Sequence, residues 1–161
     1  MDKKPSHTGG CQCGAVRYAV SGLRGAGICH CRMCQKAFAA PYAALVTAET
    51  LTWTRGAPAH FRSSNLVRRG FCATCGTPLT YEQDGGATDV AILTLDDPSA
   101  AEPVIQLARE QAVPWCERVL QRPGRDPDQQ AKANAFLNRV LSYQHPDHDT
   151  LHWPTPKDKA E

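Results

Sequence analysis

Several things are scarce in this chain, and each scarcity excludes something. Aromatic residues are only 7% of its 161 residues, against twelve glycines and twelve prolines, a balance that favours short strands joined by turns over a helical bundle. There is no run of eighteen apolar residues, so nothing in the sequence reads as a transmembrane helix. The lysines of Met1-Asp2-Lys3-Lys4-Pro5 are followed by Gly9-Gly10 and a cysteine rather than by an apolar signal core, which leads us to expect a soluble, cytoplasmic protein with no membrane partner. Acidic residues are nearly missing from the first half. From Lys3 to Tyr81 there are ten basic residues and one acid, Glu49. The length suits one domain with a core of its own.

Cysteine, by contrast, is plentiful. Seven of the eight fall into three tight clusters: Cys11 and Cys13; Cys29, Cys31 and Cys34; Cys72 and Cys75. Without a secretory leader these spacings point to thiolate–metal ligation rather than to disulfides, and a bridge inside Cys-X-Cys would close a strained ring. Thiolates one to three positions apart converge on one soft divalent ion without a long loop having to close first.

A structural zinc takes four protein ligands, usually two pairs from distant parts of the chain. Cys11/Cys13 and Cys72/Cys75 fit that description and would staple the first strand to a late hairpin. Cys29, Cys31 and Cys34 then remain as a set of three. Such a set is either an open site, the arrangement of a zinc that does chemistry, or a closed one completed from elsewhere, with Cys116 and the histidines as the candidates. His30 is poorly placed to join, because both of its neighbours already bind in a tight loop.

Along the chain, residues 1–8 read as a flexible tail and Ser21 to Gly27 as a turn region. Strands are expected at Ala15–Val20, Tyr42–Thr47, Leu51–Thr54, Ala59–Ser63, Leu66–Phe71, Pro78–Tyr81, Val90–Leu95 and, more weakly, Val104–Ala108. Gln35–Ala40 has room for one helical turn before Pro41. The clearest helix signal comes late: Asp126 can cap, Pro127 suits the first helical position, and Ala133, Leu137, Val140, Leu141 and Gln144 share a face until His145-Pro146. The resulting division is a tail (1–8), a zinc-binding β domain (9–125) and a C-terminal helix with a His/Asp-rich tail (126–161).

The basic first half has two readings. Seven thiolates outweigh the charge of two divalent ions, so some arginines balance the metal sites. The positive charge beyond that suits an acidic partner, either a small anionic molecule or nucleic acid.

The clusters and their surroundings resemble one family. Gly9-Gly10-Cys11-Gln12-Cys13-Gly14-Ala15-Val16-Arg17-Tyr18 is followed by Cys29-His30-Cys31-Arg32-Met33-Cys34-Gln35-Lys36, Trp53-Thr54-Arg55-Gly56 and Arg62-Ser63-Ser64. Then come Arg69-Gly70-Phe71-Cys72-Ala73-Thr74-Cys75-Gly76-Thr77-Pro78-Leu79, Leu95-Asp96-Asp97-Pro98 and Val113-Pro114-Trp115. In this order they resemble the glutathione-dependent formaldehyde-activating (GFA) enzymes, a family that also contains centromere protein V.

The resemblance implies a mainly β fold, a β-tent of zinc-stapled antiparallel sheets, here with one C-terminal α-helix. It implies zinc as cofactor, two ions per chain, a structural one on Cys11, Cys13, Cys72 and Cys75 and a second on Cys29, Cys31 and Cys34. That is the pairing the spacing suggests. The implied activity is that of a carbon–sulfur lyase, the joining of glutathione and formaldehyde as S-hydroxymethylglutathione, with the Cys29/Cys31/Cys34 set as the catalytic site. A small-molecule thiol such as glutathione is the expected partner. Its carboxylates make Arg32, Lys36, Arg55, Arg62 and Arg69 candidate clamps, since a guanidinium matches a carboxylate's two oxygens. The alternative is a non-catalytic zinc module that holds an acidic partner such as nucleic acid. The lack of a basic tail or an aromatic-and-basic stripe argues against nucleic acid. Whether the chain forms a homo-oligomer is left open.

Overall fold

In a computed structural model, which describes residues 6–153, the chain builds two sheets. Strands β1 (Ser6–Gly10), β2 (Arg17–Ser21) and β5 (Thr50–Arg55) form an antiparallel three-stranded sheet in the order β1-β2-β5. The larger sheet holds β3 (Arg24–Cys29), β4 (Ala43–Ala48), β6 (Ala59–Arg62), β7 (Val67–Phe71), β8 (Pro78–Gln83), β9 (Thr88–Ala91) and β10 (Ile105–Leu107). Its order is β10-β3-β4-β9-β8-β7-β6. The fold is mainly β, as expected, with one departure from antiparallel pairing: β10 runs parallel to β3.

Tyr18 and Val20 from β2, Val46 from β4, Leu79 from β8 and Val90 from β9 are fully buried between the sheets. Cys11, Cys13 and Cys72 belong to the same apolar cluster, so one cysteine set lies inside the core rather than on its rim. Trp53 meets Tyr18 edge to face at 5.9 Å, and the Tyr18 hydroxyl reaches Thr94 Oγ1 at 2.8 Å, which satisfies its polar end.

Several elements differ from the sequence reading. β1 takes in Ser6–Thr8, which had read as tail; residues 1–5 lie outside the described residues. β3 occupies the region that had read as a turn. Its glycines serve a bulge between Arg24 and Gly27 and a close strand approach, since a Cβ at Gly27 would sit 2.7 Å from Ile105 Cγ2 of β10. Finally, the late helix α2 spans only Pro127–Leu137 instead of running to Gln144. Its start is as expected, with Asp126 Oδ1 accepting from Gln129 N at 2.9 Å, but no side chain of α2 is buried, so no packing extends it past Asn138.

A second helix, α1 (Arg32–Phe38), starts three residues before the expected turn and stops at Ala39, which adopts the left-handed conformation (φ 48°). Among the described residues no helix is long and apolar enough to cross a membrane.

Candidate metal centres and the pocket beside them

The topology gathers the seven clustered thiols into two groups. Cys11, Cys13, Cys72 and Cys75 place their sulfurs within 4.8 Å of one another, with Cys11–Cys13 at 3.6 Å and Cys13–Cys72 at 3.8 Å. Four sulfurs about 2.3 Å from one zinc at tetrahedral angles stand about 3.8 Å apart, so these separations fit that ion. Two similar loops hold the sulfurs: Gly14 N donates to Cys11 O, and Gly76 N to Cys72 O. Val16 N donates to Cys11 Sγ at 3.2 Å.

Burial pushes the Cys11 and Cys13 thiols up. At Cys75 burial also acts upward, but hydrogen bonds from Thr77 and Cys13 outweigh it and leave the thiol at about 6. Four convergent thiols at these separations are a donor set that could hold a soft divalent ion such as zinc.

The second group is Cys29, Cys31 and Cys34, again within 4.8 Å of one another. Cys29 ends β3, Cys31 caps α1 and accepts from Cys34 N at 3.4 Å, and Cys34 lies in the helix's first turn. Among the described residues no fourth Cys, His, Asp or Glu joins the set. Cys116 begins a separate 3₁₀ turn, and His30 turns its Nε2 to Gln106 Oε1 at 3.2 Å. Burial raises Cys29. It also raises Cys34, to about 12, against the hydrogen bond from Arg69. Cys31 ends up lowered, because donors and the Arg69 charge outweigh its burial. The convergence of the three sulfurs is what makes this set, too, able to hold a divalent ion.

The five candidate clamps part company. Arg32 and Lys36, one turn apart on α1, line a cavity of about 360 Å³ with Met33, Ala37, Phe61, Ser63 and Arg69. Arg69, in β7, is buried at 7% exposure, and its Nη2 donates to Cys34 Sγ at 3.4 Å. The pocket therefore adjoins the three-thiol set. Arg55 lies elsewhere: it donates to Gly14 O at 3.1 Å and to Thr150, tying down the C-terminal segment. Arg62 is committed to Asp84 at the surface, at 2.9 to 3.0 Å.

Other site residues carry no motif. Gln35 is buried and gives Nε2 to His30 O (2.8 Å) and Gln111 O (3.1 Å), while its Oε1 accepts from Arg32 Nη1 (3.3 Å). Arg32 N in turn donates to Gln111 Oε1 at 3.2 Å. The only hint in the sequence is a polar residue next to Cys34. Its partner Gln111 is 76 positions away and could not be read.

With this geometry in view, comparison with known proteins decides the family. A family model described as glutathione-dependent formaldehyde-activating enzyme matches residues 6–111. The chain belongs to the GFA family. The matched segment of this GFA member contains both cysteine sets and all five candidate clamps. Among solved structures, a crystal structure of a Rhodobacter sphaeroides protein is similar: 25% identity, 62% of this chain and 98% of that chain covered, TM-score 0.49. No curated protein matches the chain.

Proposed function

We propose that this GFA-family chain is a zinc-dependent carbon–sulfur lyase that handles the adduct of a thiol and an aldehyde, with glutathione and formaldehyde as the pair to test first. The observation that carries the reading is a three-cysteine set, without a fourth ligating side chain among the described residues, beside a pocket walled by three cations. Cys29, Cys31 and Cys34 would hold the zinc, whose chemistry is to lower the pKa of a thiol and keep it as thiolate.

The chain's own residues do the rest. Arg32 and Lys36 are exposed on one face of α1 and offer carboxylate-binding charge to the ligand. Phe61 and Met33 give its carbon skeleton an apolar wall. Gln35 fixes the cysteine loop against Gln111 and holds Arg32 over the pocket. Cys11, Cys13, Cys72 and Cys75 have a folding role, pinning the β7–β8 turn to the β1–β2 turn.

The competing reading, a basic module for an acidic macromolecule, loses support from the ion pairs and hydrogen bonds that its arginines already make. Arg17, Arg62 and Arg68 are held in ion pairs and Arg55 in hydrogen bonds within the chain, so four of the ten basic residues from Lys3 to Tyr81 are already committed. Exchange between glutathione and formaldehyde, followed by NMR, should be faster with the zinc-loaded protein and fall to the uncatalysed rate in a folded Cys31→Ser variant. Equal exchange rates with and without the wild-type protein would overturn the proposal.

A further inference from the structure

Phe61, Arg69 and Tyr81 are register partners on β6, β7 and β8, so they form one row across three strands. Arg69 stands at its centre. Its guanidinium lies over the Tyr81 ring at 5.0 Å, Nε donates to Ser63 Oγ at 3.2 Å, and Nη2 donates to Cys34 Sγ at 3.4 Å. The remaining nitrogen, Nη1, is buried and has no hydrogen-bond partner. Withdrawing a guanidinium from water while leaving one end unmet is unfavourable, so the site is set up to be completed by an acceptor.

Burial separates this arginine from the other cations of the pocket. Arg32 and Lys36 are exposed and can follow a ligand's carboxylate, whereas Arg69 is held on three sides and touches a sulfur of the three-thiol set. In a thiohemiacetal the sulfur and the oxygen share one carbon. Arg69 both lines the pocket and contacts one sulfur of the set, so a ligand whose own sulfur joined that set would bring its oxygen toward this guanidinium.

We infer that Arg69 is a catalytic residue of this site, donating from Nη1 to the oxygen on the aldehyde carbon, an assignment that rests on the thiol–aldehyde reading above. In the joining direction the thiolate sulfur supplies an electron pair to the carbonyl carbon and a C–S bond forms. The carbonyl π pair moves to oxygen, where Arg69 stabilises the alkoxide until water protonates it. In the reverse direction the hydroxyl loses its proton to water, the C=O bond re-forms and the C–S pair returns to sulfur. Arg69 keeps its proton throughout and acts as a fixed donor where charge develops.

The test uses zinc-loaded wild type, Arg69→Met and Arg69→Lys, each checked for zinc content and melting temperature. Two quantities are compared: the maximal exchange rate for glutathione and formaldehyde, and the Kd of glutathione alone by calorimetry. The expected result for Arg69→Met is a rate lower by about 100-fold with Kd changed by less than about threefold. Should Arg69→Met fail to hold zinc, Arg69→Lys decides. It keeps the charge but not the fork of donors, and its rate loss must exceed its change in Kd by at least about tenfold. A loss confined to Kd would make Arg69 a binding clamp, and an unchanged rate would leave it no part in the chemistry; either overturns the inference while the lyase reading stands. Absence of catalysed exchange in the wild type overturns both.

Discussion

Arg17 Nη2 lies 2.7 Å from Asp149 Oδ1, which joins β2 to the C-terminal segment across 132 positions of sequence. The other side of the guanidinium is held by Asp96, with Nη1 to Oδ1 at 2.8 Å. The two carboxylates are unequal. Asp96 is 12% exposed and Asp149 is 50% exposed, beside an arginine at 3%. Arg17→Met leaves the mostly buried Asp96 carboxylate without its counter-ion and should destabilise the fold by about 2–4 kcal/mol, somewhat less than breaking a fully buried pair. Asp149→Asn should cost less than about 1 kcal/mol, because solvent screens that pair. Urea denaturation of the zinc-loaded variants distinguishes the two, and equal losses would contradict the assignment of Asp96 as the structural partner.

The same pair sets a pH dependence. Burial pushes the Asp96 carboxyl up, but Arg17 and Thr8 outweigh it and hold it below its ordinary 3.8. A carboxyl depressed in the folded state contributes stability that is fully present above 3.8, and loses it as pH falls through the folded value. Asp96→Asn should therefore lower stability near neutral pH and flatten the part of the acid-unfolding curve below about pH 4. Denaturation midpoints measured from pH 6 downward provide the check.

The C-terminal segment is fastened at Gly14 as well. That residue has φ +77°, and a Cβ there would overlap the His145 ring and approach Trp153 Cδ1 at 2.8 Å. His145 N donates to Gln12 O at 2.8 Å, and its ring meets Trp153 edge to face at 5.0 Å. Gly14→Ala should strain the cysteine loop by about 1–3 kcal/mol and release residues 145–153. Limited proteolysis should then cut within that segment while the rest stays resistant. A variant as resistant as wild type would show that the segment is not held there.

Metal removal separates the two cysteine sets. The four-cysteine set is part of the apolar core and joins distant strands, whereas the three-cysteine set spans only Cys29 to Cys34. Two zinc ions per chain are expected by metal analysis. Cys72→Ser should fail to fold or lose cooperative unfolding, because structural zinc binding is linked to folding. Cys31→Ser should retain one zinc and a cooperative transition. A Cys72→Ser protein with wild-type stability would refute the division of labour.

The sequence was most legible where chemistry restricts the options. Thiol spacing already separated the four-cysteine set from the three-cysteine set, because one ion needs convergent donors, and the structure groups them so. Strands with clear alternation, such as β4 and β5, lie within a residue of where they were expected. What escaped depends on partners far away. β3 forms around glycines because β4 and β10 flank it, and α2 ends early because nothing packs on it. The arginines show the same limit. Arg55 and Arg62 look like Arg69 in sequence, yet Thr150 and Asp84 occupy the first two, and only the register of β7 places the third on Cys34.

Gln35 offers a sharper test of how the three-thiol set is held. Its amide nitrogen satisfies two backbone carbonyls, His30 O and Gln111 O, and thereby ties the cysteine loop to the turn that follows β10. Gln35→Leu removes both donors without adding charge, leaving the buried His30 carbonyl unmet at about 1–3 kcal/mol. Support of this kind orients metal ligands, and its loss typically weakens metal affinity by about 10–100-fold. The effect should fall on one ion only: competition with a chelator should strip the second zinc from Gln35→Leu earlier than from wild type, while the zinc of the four-cysteine set is released at the same chelator concentration in both. Equal weakening of both sites would mean that Gln35 stabilises the fold at large and has no particular hold on Cys29, Cys31 and Cys34.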